Sequence, residues 1–421
     1  MELRIAFVTY ELVHGGSLTF LINISREFQR RKVAHCIISL HPRHPLERDF
    51  TAAGVNTLRP KAPPRSYEDG IAFGLEQLRA FNPTHIIGCL GPQSLEILRY
   101  VPQGVCRLGI VQTDDQPVYN MLANYAPFLD ATIGVSEYSC DVLSRYPQLA
   151  SKPIYYQPYG IPFPEQLRRS LPVQGQPIRI TYVGRLVREQ KRVHVIPQIW
   201  QKLSDSDRPF VWRIAGEGPQ LASLQKNLRT NSGQQLVRFE GQIPYSRIPE
   251  LMLNSDIFLL PSDYEGLPLS LLEAMAQGAV PVVSDLPSGI REVVNSDTGK
   301  LVNPENIDGY AAAILELDSD RQTLAKMSLA ASSLVRNGFS TEAMASRWLR
   351  MLSELPSAAA VWPISQKVTY SIMMRRLGLP FLPAVRPVAK LIDRVAVAVR
   401  TPKTIFSCGG NKQQTNHRSE K

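Results

Sequence analysis

Short apolar runs rich in Val and Ile alternate with amphipathic stretches along most of this 421-residue sequence. That alternation predicts parallel strands, each returned to the same end of a sheet by a crossover helix. In the first half, strands are predicted at residues 4–9, 34–39, 85–88, 107–111 and 131–135, with a helix over 17–30. A stretch with five prolines, residues 158–177, breaks the pattern and reads as an interdomain linker. The pattern restarts at residues 178–183 and continues with strands at 211–215, 237–240, 257–260 and 280–283. Helices fall between them, among them 219–228 and 269–277, and a helix over 341–354 closes this half. Two α/β units joined by a linker imply a cleft between them, a common place for a ligand. The expected division is 1–165, 166–340, a closing helix in 341–360, and an extension over 361–421.

Charge separates the last of these from the rest. Residues 355–421 hold eleven Lys and Arg against Asp393 and Glu420, which accounts for nearly all of the net charge of +10. The remainder is close to neutral, so whole-protein nucleic-acid binding is not supported. Within residues 386–400, Val388, Leu391, Ile392, Val395 and Val399 recur at helical spacing, with Lys390, Arg394 and Arg400 on other faces. This is a basic amphipathic helix, suited to an anionic membrane surface or to packing with its charges solvated. The five cysteines (36, 89, 106, 140 and 408) form no CxxC pair and read as reduced thiols. No signal peptide and no membrane span are expected, which suggests a cytoplasmic protein, peripheral to the inner face of the membrane if the tail binds it.

The most informative segment for chemistry runs from Pro261 through Glu265, Gly266, Leu269, Ser270 and Leu271 to Glu273 and Ala276. It leaves an apolar strand and enters a helix, with two glutamates on either side of the turn. If the helix starts near Pro268, the N–H groups of residues 269–272 point unpaired into the gap between the carboxylates. A helix N-terminus of this kind binds anions, and carboxylates accept hydroxyl hydrogen bonds. A nucleoside diphosphate-sugar has that order of groups: ribose, diphosphate, hexose.

Two loops of the second half join it. Gly184-Arg185 and Lys191 follow the strand at 178–183, and both cations can converge on one anion across the loop. The same loop could equally be a solvated basic turn. Gly216, in Ala215-Gly216-Glu217-Gly218, marks a strand-to-helix turn, a weak signal alone. In the first half, His14-Gly15-Gly16-Ser17 opens a helix, and the two glycines admit a close ligand. No G-x-G-x-x-G run is present there, so a dinucleotide site is poorly supported.

In order, the G-R-x5-K run, the A-G-E-G-P turn, the E-G-x6-E-A-M-A segment, Gly289, Glu292 and Gly299 resemble a retaining glycosyltransferase of family 4 (group 1 glycosyltransferases). The resemblance is strong over residues 178–302 and weaker over 1–160, where it rests on Gly15-Gly16, Val135-Ser136 and Tyr159-Gly160-Ile161. It implies the GT-B architecture: two facing Rossmann-like domains with a central cleft, acceptor side first and donor side second. It also implies roles. Arg185 and Lys191 would hold the donor diphosphate, Glu265 the donor sugar hydroxyls and Glu273 the ribose. Backbone at residues 269–272 would meet the phosphates, and Gly241 would border the nucleobase. Transfer would be metal-independent and need no cofactor, with the leaving phosphate helping to take the acceptor proton. The acceptor would be a glycan or lipid that the sequence does not identify.

The resemblance fails at one place. Where many family members carry a histidine, this chain has Gln112, which can position a sugar but cannot carry a proton charge. A catalytically silent, glycosyltransferase-like sugar-binding protein is therefore the alternative. A phosphorylase or sugar-nucleotide epimerase is disfavoured by the paired glutamates. Asp114-Asp115 and the triplets Asp205-Ser206-Asp207 and Asp318-Ser319-Asp320 read as solvated carboxylates, and no metal is assigned.

Overall fold

The computed structural model describes residues 2–12, 15–44, 47–89, 91–163, 173–206, 208–228, 235–358, 360–363 and 368. The middle of the proline-rich segment, His14, Asp207 and the basic segment 386–400 lie outside them. Residues 1–65 and 69–368 fold as one compact unit that carries two parallel sheets.

The first sheet contains β1 (Arg4–Thr9), β2 (Ala34–Ser39), β3 (Thr57–Leu58), β4 (His85–Gly88), β5 (Cys106–Val111), β6 (Ala131–Gly134) and β7 (Ile154–Tyr156), in the order β3-β2-β1-β4-β5-β6-β7. The second contains β8 (Ile178–Val183), β9 (Phe210–Ala215), β10 (Gln235–Gly241), β11 (Ile257–Leu260), β12 (Val280–Ser284) and β13 (Lys300–Val302), in the order β10-β9-β8-β11-β12-β13. Every pairing between them is parallel. A parallel strand is covered on both faces, so its side chains stay apolar without alternation. Ile257, Phe258, Leu259 and Leu260 of β11 are all fully buried. In each sheet the strand order reverses once, between β1 and β4 and between β8 and β11. At such a switch neighbouring loops part, and ligands bind outside the carboxyl ends of the strands.

One device recurs in both sheets. Asp130, just before β6, takes the guanidinium of Arg107 in β5 at 2.9 and 3.0 Å and its N–H at 2.8 Å. Asp256, just before β11, does the same to Arg179 in β8, at 2.7 and 2.8 Å for the side chain and 2.9 Å for the N–H. Both clamps sit at the strand starts, opposite the ligand end, and fix the register there.

The helix Thr341–Glu354 corrects a sequence expectation, because it returns to the first sheet instead of closing the second. Its buried face (Met344, Ala345, Trp348, Met351 and Leu352) has helical spacing and is apolar enough to seal the first core. The Trp348 ring lies 5.7 Å from Phe7 of β1 and 5.6 Å from Phe20 of the helix Gly16–Arg30. The chain thus crosses between the sheets twice, and the two crossings touch. Ile161 and Phe339 bond through their backbones at 2.9 Å, and Thr341 returns a bond to Ile161 at 3.2 Å. A Cβ on Gly160 would stand 2.5 Å from the Ser340 carbonyl oxygen, so only glycine fits there. Trp348→Ala is expected to lower stability by about 3–5 kcal/mol, measured by denaturant unfolding, because it empties the centre of the cluster with Phe7 and Phe20.

Candidate active site

The loops after β8 and β11 meet at the switch point of the second sheet. Lys191 Nζ donates to Glu265 Oε1 in a pair whose side chains are only 13% and 6% exposed. Ser262 Oγ donates to the same oxygen at 2.7 Å. The other oxygen, Oε2, has no partner among the described residues. Backbone and side-chain links reinforce the pair: Asp263 N–H donates to Gln190 O at 2.8 Å, and Gln190 Nε2 to Tyr264 O at 3.3 Å. Arg192 is buried in the left-handed region, φ 46°, held by Asp263 at 2.9 Å and Glu305 at 2.7 Å. A bulky residue tolerates that backbone only where its surroundings over-determine it.

This arrangement changes the expected role of Lys191. The lysine is neutralised by Glu265, so it and Arg185 are not an equivalent pair of cations facing one anion. Arg185 is exposed, donates to Gln190 Oε1, and forms no ion pair among the described residues. Its guanidinium is the one of the two whose charge is uncompensated.

The helix Leu269–Ala276 starts at the expected residue, with Pro268 as its N-cap. Its first turn uses two amides that the sequence suggested were free. Leu271 and Leu272 donate to Pro268 O at 3.1 and 3.2 Å, so only Leu269 and Ser270 keep unpaired N–H groups among the described residues. A second helix start faces them. Gly16 opens the helix Gly16–Arg30, and a Cβ on it would lie 3.4 Å from Leu269 Cδ1. Leu18 and Thr19 bond to the Gly15 carbonyl, at 3.1 and 3.4 Å, which leaves the amides of Gly16 and Ser17 without a partner among the described residues. Two positive helix ends therefore converge between the sheets. Gly15 has φ 148° and open space at its Cβ position.

Glu273, one turn further in, is surrounded by protein although a part of its surface remains accessible. Desolvation raises its carboxyl to about 8. Burial, and then the nearby Glu273 charge, pushes the Tyr245 hydroxyl upward as well, and that hydroxyl donates to Asn23 at 2.9 Å.

Glycines let the loops close up. A Cβ on Gly216 (φ 137°) would sit 1.9 Å from the Gly184 carbonyl oxygen, and Gly216 donates to Gly241 O at 2.8 Å. The ends of β8, β9 and β10 are thus laced through Gly184, Gly216 and Gly241. Gly266 brings the sheets together: a Cβ there would lie 2.9 Å from Gln112 O. Gln112 follows β5, and its amide atoms are buried without an aligned hydrogen bond among the described residues, though the Tyr159 hydroxyl is within reach. Thr113 Oγ1 is buried and unpaired in the same way. Of the fourteen sequence candidates, twelve lie on loops or first helical turns beyond the strands' carboxyl ends, Gly241 ends β10, and Glu273 sits in the second turn of its helix.

Residues that sequence reasoning missed include Ser262, which orients Glu265, and Gln190, which bridges the two loops. Neither belongs to a recognisable spacing. Glu292 gains a structural task as well: it accepts from Glu137 N–H at 2.6 Å and from the Tyr156 hydroxyl at 2.7 Å, tying the helix Ile290–Val293 to the first sheet. Of the carboxylates expected to be solvated, Asp318 and Asp114 are not, whereas Asp320 is exposed. Asp318 is buried and paired with Arg208 at 2.7 Å and with Arg321, and Asp320 caps the following helix through Thr323 N–H at 2.9 Å. Asp114 is half-buried and accepts from the Tyr119 hydroxyl at 2.8 Å.

Residues 164–333 match the family Glycosyl transferases group 1. The fold is GT-B. Staphylococcus aureus TarM, solved with fondaparinux, alpha-GlcNAc-glycerol and UDP, superposes with a TM-score of 0.70 at 13% identity, covering 83% of this chain and 100% of that one. Anabaena HepE, in complex with UDP-glucose, gives 0.68 at 17% identity, covering 84% and 100%. Among curated relatives, the putative colanic acid biosynthesis glycosyltransferase WcaL of Escherichia coli K12 is 36% identical over 163 residues, 36% of this chain and 39% of WcaL. The amylovoran biosynthesis glycosyltransferase AmsK of Erwinia amylovora is 33% identical over 171 residues, 39% of this chain and 42% of AmsK. The match thus spans less than half the length of these relatives.

The Glu273 carboxyl sets a pH dependence. Its proton is held up to about 8 in the folded chain against an ordinary 4.5, so the folded state binds the extra proton between those values. Stability is full below the lower value and is lost as pH rises through the higher. Melting curves of wild type and Glu273→Gln should coincide near the acid end of that window. They should then diverge in favour of the variant as pH rises. Curves that stay parallel would show that Glu273 does not carry the effect.

Proposed function

We propose that this chain is a retaining glycosyltransferase that moves a sugar from a nucleoside diphosphate donor to an acceptor hydroxyl during polysaccharide or other glycoconjugate synthesis. The observation that carries this reading is the Lys191–Glu265 pair at the switch between β8 and β11, set beside two converging helix starts. A diphosphate suits the amides of Gly16, Ser17, Leu269 and Ser270, with Arg185 as its mobile cation. Glu265 Oε2 is oriented to accept a hydroxyl of the donor sugar, and Glu273 one of the ribose. Gly241 and its neighbours border the base. The names of WcaL and AmsK, and the UDP and UDP-glucose in the TarM and HepE structures, support the same class of donor and a glycan acceptor.

In the proposed reaction the bond from the anomeric carbon to the diphosphate oxygen breaks as the acceptor oxygen bonds to the same face. The departing phosphate oxygen takes the acceptor proton. Negative charge then grows on the diphosphate, where fixed amides and Arg185 stabilise it. Gln112 steers the sugar by its amide and holds no proton. Family 4 membership and independence from metal belong to this proposal.

A panel of UDP- and GDP-sugars with glycan acceptors tests it, with nucleotide release and the anomeric configuration of the product read by NMR. The expected result is turnover with retention, slowed on the order of 100-fold by Arg185→Ala or Glu265→Ala. Donor binding without turnover would favour the silent sugar-binding alternative. If the wild type neither bound nor consumed any donor, both readings would fail.

A further inference from the structure

We propose that a separate cavity on the first sheet is the subsite for a pyranose ring of the acceptor. This rests on the transfer function proposed above and identifies its second substrate's site. The cavity holds about 500 Å³ and is lined by Asp114, Gln116, Tyr119, Tyr138, Arg145 and Tyr146. Ligand pockets span roughly 300–1,000 Å³. Its walls come from the residues that follow β5 and β6, at the carboxyl ends of those strands, where a parallel sheet takes its ligands.

Asp114 in the cavity wall leads back along the chain to backbone that touches the donor loop. Asp114 is two residues beyond Gln112, whose backbone meets Gly266, and the charge of Asp115 acts on Tyr264, the neighbour of Glu265. An acceptor seated in the cavity would thus extend toward the donor sugar.

The chemistry of the walls selects the ligand. Tyr138 and Tyr146 are half-buried and present their rings to the cavity, while the fully buried Tyr119 ring packs against Tyr146 with centroids 6.2 Å apart and planes 19° from parallel. Aromatic rings with a polar tip suit a sugar, which has apolar C–H faces and a rim of hydroxyls. Asp114 Oδ1 accepts from Tyr119, while Oδ2 has no hydrogen-bond partner among the described residues and can accept a hydroxyl. Gln116, Asn120 and Tyr146 form a polar belt, with Tyr146 donating to Asn120 at 3.0 Å. A phosphate group would meet the Asp114 carboxylate and find Arg145 already paired with Asp141. A purely apolar ligand would leave the Asp114 oxygen and the polar belt desolvated, a costly outcome. A cyclic polyol satisfies both kinds of surface.

Saturation-transfer NMR with the methyl glycosides of glucose, galactose and mannose tests this on the wild-type chain, with and without UDP or GDP. At least one glycoside should bind, and Asp114→Asn and Tyr138→Ala should each weaken that binding at least tenfold. If Tyr138→Ala fails to fold, Asp114→Asn decides. Absence of binding by all three glycosides, or unchanged affinity in the variants, overturns the subsite. The melting shift produced by UDP or GDP reports the donor side independently. Its absence in the wild type would count against the donor reading, whatever the glycosides do.

Discussion

The site depends on one buried ion pair. Lys191 and Glu265 come from the loops after β8 and β11, neighbouring strands whose connections leave in opposite directions. Each partner is nearly inaccessible, so removal of either would strand a charge at a cost of about 3–5 kcal/mol. Ser262 and the Gln190–Tyr264 bond then fix the orientation of the carboxylate. A glutamate so held offers its second oxygen at a defined position and keeps Arg185 as the adaptable charge. Positioning of this kind is what transfer chemistry requires, because misplaced groups forfeit much of the rate.

The same logic extends across the cleft. Gly16 against Leu269 aligns two helix starts, and Gly266 against Gln112 lets the backbones touch where a side chain would block them. Glu292 and the crossing at Gly160 and Ser340 secure the two sheets to each other. Trp348 then buries the returning helix in the first core. These contacts give the two sheets a shared interface.

Much of the fold was legible in the sequence because parallel strands are continuous apolar runs. Arg4–Thr9, Ala34–Ser39, His85–Gly88, Ile178–Val183 and Ile257–Leu260 match their expected bounds. Short edge strands such as Thr57–Leu58 and Lys300–Val302 escaped, since two or three residues carry no period. The destination of the helix Thr341–Glu354 was also hidden: its apolar face says that it packs, but not on which sheet. At the site, residue types and order were readable while pairings were not. Spacing brought Arg185 and Lys191 to one loop, yet only the structure shows Lys191 committed to Glu265. The two Pro268-bonded amides were likewise beyond reach, because the sequence does not show whether the cap carbonyl takes the first-turn N–H groups.

In the proposed donor site the β8 and β11 loops hold a diphosphate, with Arg185 as the uncompensated cation. Calorimetric titration of wild type and Arg185→Ala with UDP and GDP, and with uridine and guanosine, tests it most directly. One nucleotide should bind, and the variant should lose at least tenfold in diphosphate affinity, about 1.4 kcal/mol, with the matching nucleoside unaffected. Equal losses for nucleotide and nucleoside, or no binding of either nucleotide, would contradict it.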